Sequence, residues 1–264
     1  MVDKDEVRKR VWELMERTGV ARFPGARGRI PNFAGAEDAA RRLASLQEWS
    51  GARVVKANPD SPQLPVRVRA LTDGKILYMA VPRLRERKPF ILLDPRALRL
   101  PPRRAASITG GIRAGRPVSI GRMRPVDLVV CGSVAVNRKG ARVGKGGGFS
   151  DLEFGLLSEA GLIGERTVVA TTVHPCQVLE EDLPETTHDF RVDVIVTPEE
   201  VIRPRRRRRR EHPGIVWADL AEDRISKIPA LASLSRGRPG LIEFDPNTPG
   251  PPGETRSISA TLLT

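Results

Sequence analysis

Cysteine is scarce in this chain, and the shortage excludes a class of folds. Cys131 and Cys176 are the only two, too few for a disulfide framework, and neither sits in a C-x-x-C or Cys/His metal-binding spacing. Both lie in apolar runs, where a small core residue is the simpler reading than a nucleophile. His174, His188 and His212 are the only histidines and form no H-E-x-x-H pattern, which argues against a histidine-built metal site. Aromatics are 4% of the chain against 39% hydrophobic residues, so a core must be packed from Val, Leu, Ile and Ala. No apolar stretch approaches the about 20 residues that cross a bilayer. Met1-Val-Asp-Lys-Asp-Glu6 lacks the apolar region of a secretory signal. The expectation is a cytoplasmic protein with no membrane segment.

What is abundant is positive charge. The formal net charge of +13 over 264 residues suits an anionic partner, whether a phosphate-rich small molecule or a nucleic acid. From Arg203 onward there are 12 Lys/Arg against 7 Asp/Glu, so +8 remains in the first 202 residues. The basic excess is therefore not confined to the arginine run near the C-terminus. The length fits one large α/β domain with an appendage.

Along the chain, Lys4 to Arg17 has Val7, Val11, Leu14 and Met15 at helical spacing. Lys4 and Arg8 lie four apart, on one helical face, either as a solvated basic stripe or facing a ligand. Phe23-Pro-Gly breaks the helix, and Ile30 before Pro31 predicts extended chain. Arg29 there either packs or faces a ligand. Glu37 to Trp49 resumes helical periodicity. Val54 to Lys56, Lys75 to Val81 and Phe90 to Asp94 are short strand candidates. Asn58 to Pro65 is a proline-punctuated loop leading into a helix that ends near Leu71. Asp127 to Val136 is the strongest strand signal, apolar enough for burial on both faces. Thr167 to Val173 and Asp193 to Thr197 are β-branched strands. Strands interleaved with helices predict an α/β fold with a mainly parallel sheet. His188-Asp189 either approaches a site or bounds a strand.

The densest chemistry lies in Arg142-Val-Gly-Lys-Gly-Gly-Gly-Phe-Ser-Asp151. Glycines let the backbone approach a ligand, and Ser150 with Glu153 has the S-x-x-E pattern of a capping box, placing a helix start there. A helix start attracts phosphate. Arg142 and Lys145 add cations, and Asp151 adds a carboxylate suited to Mg²⁺. The loop is neither a Walker A sequence nor G-x-G-x-x-G in register, so a flexible surface turn stays open as the alternative. After Arg203, the run to Arg210 reads as a solvated arm that would bind nucleic acid without sequence preference. Trp217 to Leu234 reads as one or two short helices, and Pro246 to Arg256 as irregular chain.

In their order and spacing these pieces resemble the 5-formyltetrahydrofolate cyclo-ligase family, also called methenyltetrahydrofolate synthetase. The resemblance rests on Lys4-x-x-x-Arg8, the loop from Arg142 to Asp151, and Val192-Asp193 entering a strand. It implies a three-layer α/β/α sandwich over residues 1–202, followed by a short basic C-terminal extension over 203–264. It also implies ATP and Mg²⁺ as cofactors and a folate-like substrate. By the resemblance, Lys4 and Arg8 contact phosphates, and Arg142, Gly144, Lys145, Gly146, Gly147, Gly148 and Phe149 form the nucleotide cradle. Arg142 and Lys145 are then the catalytic cations, while Asp151 and Asp193 hold the metal. The implied reaction is phosphorylation of the formyl oxygen of 5-formyltetrahydrofolate, then ring closure to 5,10-methenyltetrahydrofolate. Two departures stand out. The family's Gly-Tyr-Tyr-Asp is Gly148-Phe149-Ser150-Asp151, and the family's acidic, threonine-containing segment has a counterpart, Ser61-Pro-Gln-Leu-Pro65, with no glutamate. The segment Arg29 to Ala36 resembles a divergent branch, the methenyltetrahydrofolate synthetase domain-containing proteins. That branch is associated with thiamine metabolism, which implies another heterocycle as the alternative substrate. Some of its members carry an RNA-binding domain, but no RNP-type aromatic motif follows Arg203.

Overall fold

The computed structural model describes residues 3–81, 84–205 and 214–235. In chain order it runs α1 (Lys4–Arg17), β1 (Ala21–Arg22), β2 (Asn32–Phe33), α2 (Ala36–Ala44), α3 (Gln47–Gly51), β3 (Val54–Ala57), α4 (Leu64–Thr72), β4 (Ile76–Ala80) and β5 (Phe90–Leu93). It continues with α5 (Pro102–Ala105), α6 (Ile108–Ala114), β6 (Arg116–Val118), β7 (Leu128–Cys131), β8 (Ala135–Asn137), β9 (Arg142–Val143) and α7 (Phe149–Glu159). The last elements are β10 (Val168–Thr172), β11 (Val178–Leu179), β12 (Val194–Val196), β13 (Val201–Ile202), α8 (Glu222–Lys227) and α9 (Pro229–Ser235).

An eight-stranded sheet in the order β13-β12-β10-β7-β3-β4-β5-β6 forms the middle layer. Its five central strands, β12 to β4, pair in parallel, while β13, β5 and β6 pair antiparallel at the two edges. Alternation along each strand assigns the faces. Val55, Ala57, Leu128 and Val130 pack with Val7 and Val11 of α1, Leu43 of α2 and Ala70 of α4. Val54, Val129, Cys131 and Val169 pack with Leu156 and Leu157 of α7 and Leu231 of α9. The molecule is thus a three-layer α/β/α sandwich with a mainly parallel sheet.

Three local expectations are corrected. The run Asp127 to Val136 is not one strand. It leaves the central sheet at Gly132, and β8 joins β9 and β11 in a separate three-stranded sheet. Gly132 is where the chain passes closest to its neighbours: an added β-carbon would lie 2.8 Å from Ile30 Cγ2 and 3.1 Å from Gln63 Oε1. A turn held by Asn137, whose Oδ1 accepts from Lys139 N and Ala141 N, then sends β9 back beside β8. The helix read as Glu37 to Trp49 divides into α2 and α3 at Ser45-Leu46. Finally, the capping box is absent. Gly148 is the N-cap of α7, at φ 64°, with no side-chain cap bond, because Glu153 is drawn instead to a buried lysine described below. The arginine run from Arg206 to Arg210 and the segment Pro246 to Arg256 lie outside the described residues.

Candidate functional site

A cavity of about 640 Å³ opens where β3 and β7 end, at Asn58 and Gly132. This is the C-terminal edge of the parallel strands, where open α/β sheets bind ligands. One side is the glycine loop Gly144–Gly148 and the start of α7; the others carry Lys4 and Arg8 from α1, the Thr186–Asp189 turn, and Gly214 to Leu220. Lys4, Arg8, Arg142, Gly144, Lys145, Gly146, Gly147, Gly148, Phe149 and Asp151 therefore share one cavity. The basic face of α1 is not a solvated stripe. Arg29 is exposed and its carbonyl accepts from Trp12 Nε1 at 3.0 Å; its neighbour Ile30 is the residue that lines the cavity.

Of the cations that line the cavity, Arg142 is the most deeply set, 3% exposed on β9. Its Cζ lies 3.9 Å from the centroid of the Phe190 ring, which is itself stacked on Phe154 at 4.1 Å. Nη2 donates to Asp151 Oδ1, and buried Nε has no hydrogen-bond partner. A buried charged group usually has all its donors engaged, so this N–H is spare capacity beside the loop. Arg8 Nε donates to the Gly144 carbonyl at 2.7 Å and fixes the loop to α1. Gly146, at φ 102°, passes close beneath the Arg8 guanidinium: a β-carbon there would lie 3.5 Å from Arg8 Cζ. Lys4 pairs with Asp189, Arg8 with Asp5, and Lys145 with Asp60 at 2.7 Å. Each of the four cations thus has its own carboxylate. Burial works to raise the pKa of Asp189, but hydrogen bonds from Lys4 and Thr186 outweigh it and hold the carboxyl below its ordinary value.

Behind the residues that line the cavity lie buried polar side chains that the sequence reading passed over. Lys56, 2% exposed in the apolar strand β3, donates to Asn58 Oδ1 at 2.7 Å and to Glu153 Oε2, and Asn58 and Glu153 both line the cavity. A lysine inside a run of buried aliphatics was the available signal, since such a charge must be paired. Arg67 of α4, 1% exposed, holds the adjoining loop by donating to the carbonyls of Asn58, Asp60 and Ala106. Burial pulls its pKa down to about 10, with Asp60 opposing. Gln63, in the segment without glutamate, is fully buried and donates to Thr172 Oγ1 at 3.2 Å.

Asp193 is not brought to the cavity. It precedes β12 at the N-terminal edge of the sheet, where its Oδ2 accepts from Val169 N at 2.9 Å. Asp127 does the same before β7, accepting from Arg53 N and Val54 N at 2.8 Å. Both carboxylates tie the start of one parallel strand to its neighbour, which is the physical reason an aspartate stands there. No group of three or more His, Cys, Asp or Glu side chains suited to a metal exists among the described residues. Of the nominated carboxylates Asp151 alone lines the cavity, a donor set that suits Mg²⁺ only when phosphate oxygens and water complete the shell. Cys131 is fully buried and burial pushes its thiol up. Burial also raises Cys176, to about 11, so neither cysteine is a poised nucleophile. Among the described residues no helix is long and apolar enough to cross a membrane.

Known proteins resemble this chain in sequence and in fold. Methenyltetrahydrofolate synthase domain-containing proteins of Bos taurus and Mus musculus are each 38% identical over 266 residues, covering 97% of this chain and 69% and 71% of theirs. The protein of that name from Danio rerio is 39% identical over 239 residues, 88% of this chain and 61% of its own. The NMR structure of Aquifex aeolicus 5,10-methenyltetrahydrofolate synthetase superposes with a TM-score of 0.50 at 24% identity, over 79% of this chain and 96% of that one; this likeness speaks for the fold alone. The family model for 5-formyltetrahydrofolate cyclo-ligases matches residues 1–198, a span that contains every strand of the central sheet except β13, together with α1, the glycine loop and the paired cations. On that match, the chain belongs to the 5-formyltetrahydrofolate cyclo-ligase family.

Proposed function

We propose that the protein is an ATP-dependent enzyme that activates a carbonyl oxygen of a folate by phosphorylation, as a 5-formyltetrahydrofolate cyclo-ligase. The observation that carries this reading is the gathering of Lys4, Arg8, Arg142 and Lys145 with a glycine loop and Asp151 around one cavity. Phosphoryl transfer needs cations and N–H donors fixed before the charge moves onto the phosphoryl oxygens. Arg142 is held in place by Phe190 and Asp151 with its Nε unengaged, and so meets an anion with little reorganisation. Lys145, on the loop and half exposed, follows the transferring group. Phosphorylation of the formyl oxygen turns it into a leaving group; the second folate nitrogen then attacks the formyl carbon, and phosphate departs as the ring closes. Asp151 would hold Mg²⁺, which supplies charge neutralisation across the nucleotide phosphates.

A second reading keeps the ATP chemistry and replaces the folate with another heterocycle, thiamine-related compounds among them. It is favoured by the segment Ser61–Pro65, which offers no carboxylate, and whose Gln63 is buried against Thr172. The test is turnover of ATP with Mg²⁺ in the presence and absence of 5-formyltetrahydrofolate, following the absorbance of the methenyl product. Folate-dependent turnover abolished by Asp151→Ala is expected. ATP binding without folate-dependent turnover would transfer the assignment to the second reading, and no ATP binding would sink both.

A further inference from the structure

The segment Gly214–Leu220 lies past residue 198, where the family match ends, yet Gly214, Ile215, Val216, Asp219 and Leu220 line the cavity. It is fastened there at three points. Gly214 lies against Gly155 of α7, where a β-carbon would come within 3.3 Å of the Gly214 carbonyl oxygen and of Ile215 Cγ1. Ile215 N donates to Glu159 Oε1 at 2.9 Å, and His188 Nε2 lies 3.3 Å from Asp219 Oδ2. Trp217, together with parts of Ile215 and Leu220, packs against the core on the Val54, Val129 and Leu157 side of the sheet, where Ile228 and Leu231 from the following helices are also buried. The segment is therefore a fixed part of the body rather than a loose tail.

Its chemistry differs from that of the rest of the cavity. The loop side presents Arg142 and Lys145, whereas this side presents Ile215, Val216 and Leu220, with the one carboxylate, Asp219, facing His188. Phosphate gains nothing from aliphatic side chains, but a flat ring removed from water does. We propose that Gly214–Leu220 is a specificity-determining wall of the site, on which the planar nitrogen heterocycle of the ligand rests. That ring is either the nucleotide base or the pteridine of a folate, and the inference rests on the ATP-dependent reading above.

The experiment measures binding of ATP, inorganic tripolyphosphate and 5-formyltetrahydrofolate to the full chain by calorimetry, for wild type, Leu220→Ala and Val216→Ala. Tripolyphosphate carries the phosphates without a base. If the base rests on the wall, the variants bind ATP about tenfold more weakly, the loss of one to two methylene-sized contacts, and tripolyphosphate as wild type does. If the pteridine rests there, the loss appears with 5-formyltetrahydrofolate and spares both phosphate ligands. Unchanged affinity for ATP and folate in both variants overturns the wall, as does an equal loss for tripolyphosphate, which would place the effect in the fold. A wild-type protein that binds none of the three removes the ATP reading itself, and the wall with it.

Discussion

The charges nearest the cavity do two jobs, and single substitutions separate them. Lys56 and Glu153 are both buried, at 3% and 8% side-chain exposure, so removing either partner strands the other. Lys56→Met alone should destabilise the protein by about 3–5 kcal/mol. The double variant Lys56→Met with Glu153→Leu should recover most of that loss in urea denaturation, because no unpaired charge remains. Asp189 behaves differently with pH. Its folded carboxyl titrates below its unfolded value, so its stabilisation is fully present above the ordinary carboxylate pKa of about 3.9. That stabilisation is lost as pH falls through the lower folded value. Asp189→Asn should therefore be less stable than wild type at neutral pH, and the gap should close in acid. A gap of constant size from pH 7 to pH 3 would contradict the assignment.

At the scale of elements, the sequence was clearest where one periodicity ran uninterrupted. Helix α1 spans Lys4–Arg17, as its apolar spacing indicates, and β3, β5 and β10 stand where aliphatic and β-branched runs placed them. The reading failed where a tertiary contact overrode a local pattern. Ser150 and Glu153 have capping-box spacing, but the buried ammonium of Lys56 is a stronger partner for the carboxylate than a helix-end N–H. Val192-Asp193 has the look of a ligand residue entering a strand, but nothing local distinguishes a carboxylate at the catalytic edge from one that ties strand starts together. The break at Gly132 was hidden because apolar residues continue on both sides of it, changing sheets without changing character. That break has a test of its own. Gly132→Ala puts a methyl 2.8 Å from Ile30 Cγ2, and overpacking of this kind costs about 1–3 kcal/mol, measurable as a lowered urea midpoint. An unchanged midpoint would show that Ile30 yields easily.

For the whole molecule, what the sequence could not reveal was assembly. The Gly214–Leu220 wall follows the arginine run, which composition marks as a boundary, and only the folded chain returns it to the cavity. Transfer of substrate identity by matching residues 1–198 alone omits that side. The last consequence concerns the four carboxylates that accompany Lys4, Arg8, Arg142 and Lys145. They make the unliganded site an internal salt, so a polyanion enters by ion exchange within the protein rather than by releasing ions condensed from solution. Open cation clusters shed affinity steeply as salt rises because they compete with dissolved anions. Here the competitor is covalently attached and its concentration is fixed by the fold. ATP affinity should therefore decline only shallowly with added salt despite a net charge of +13. Asp60→Asn, which leaves Lys145 without its resident carboxylate, should steepen the slope while tightening binding at low salt.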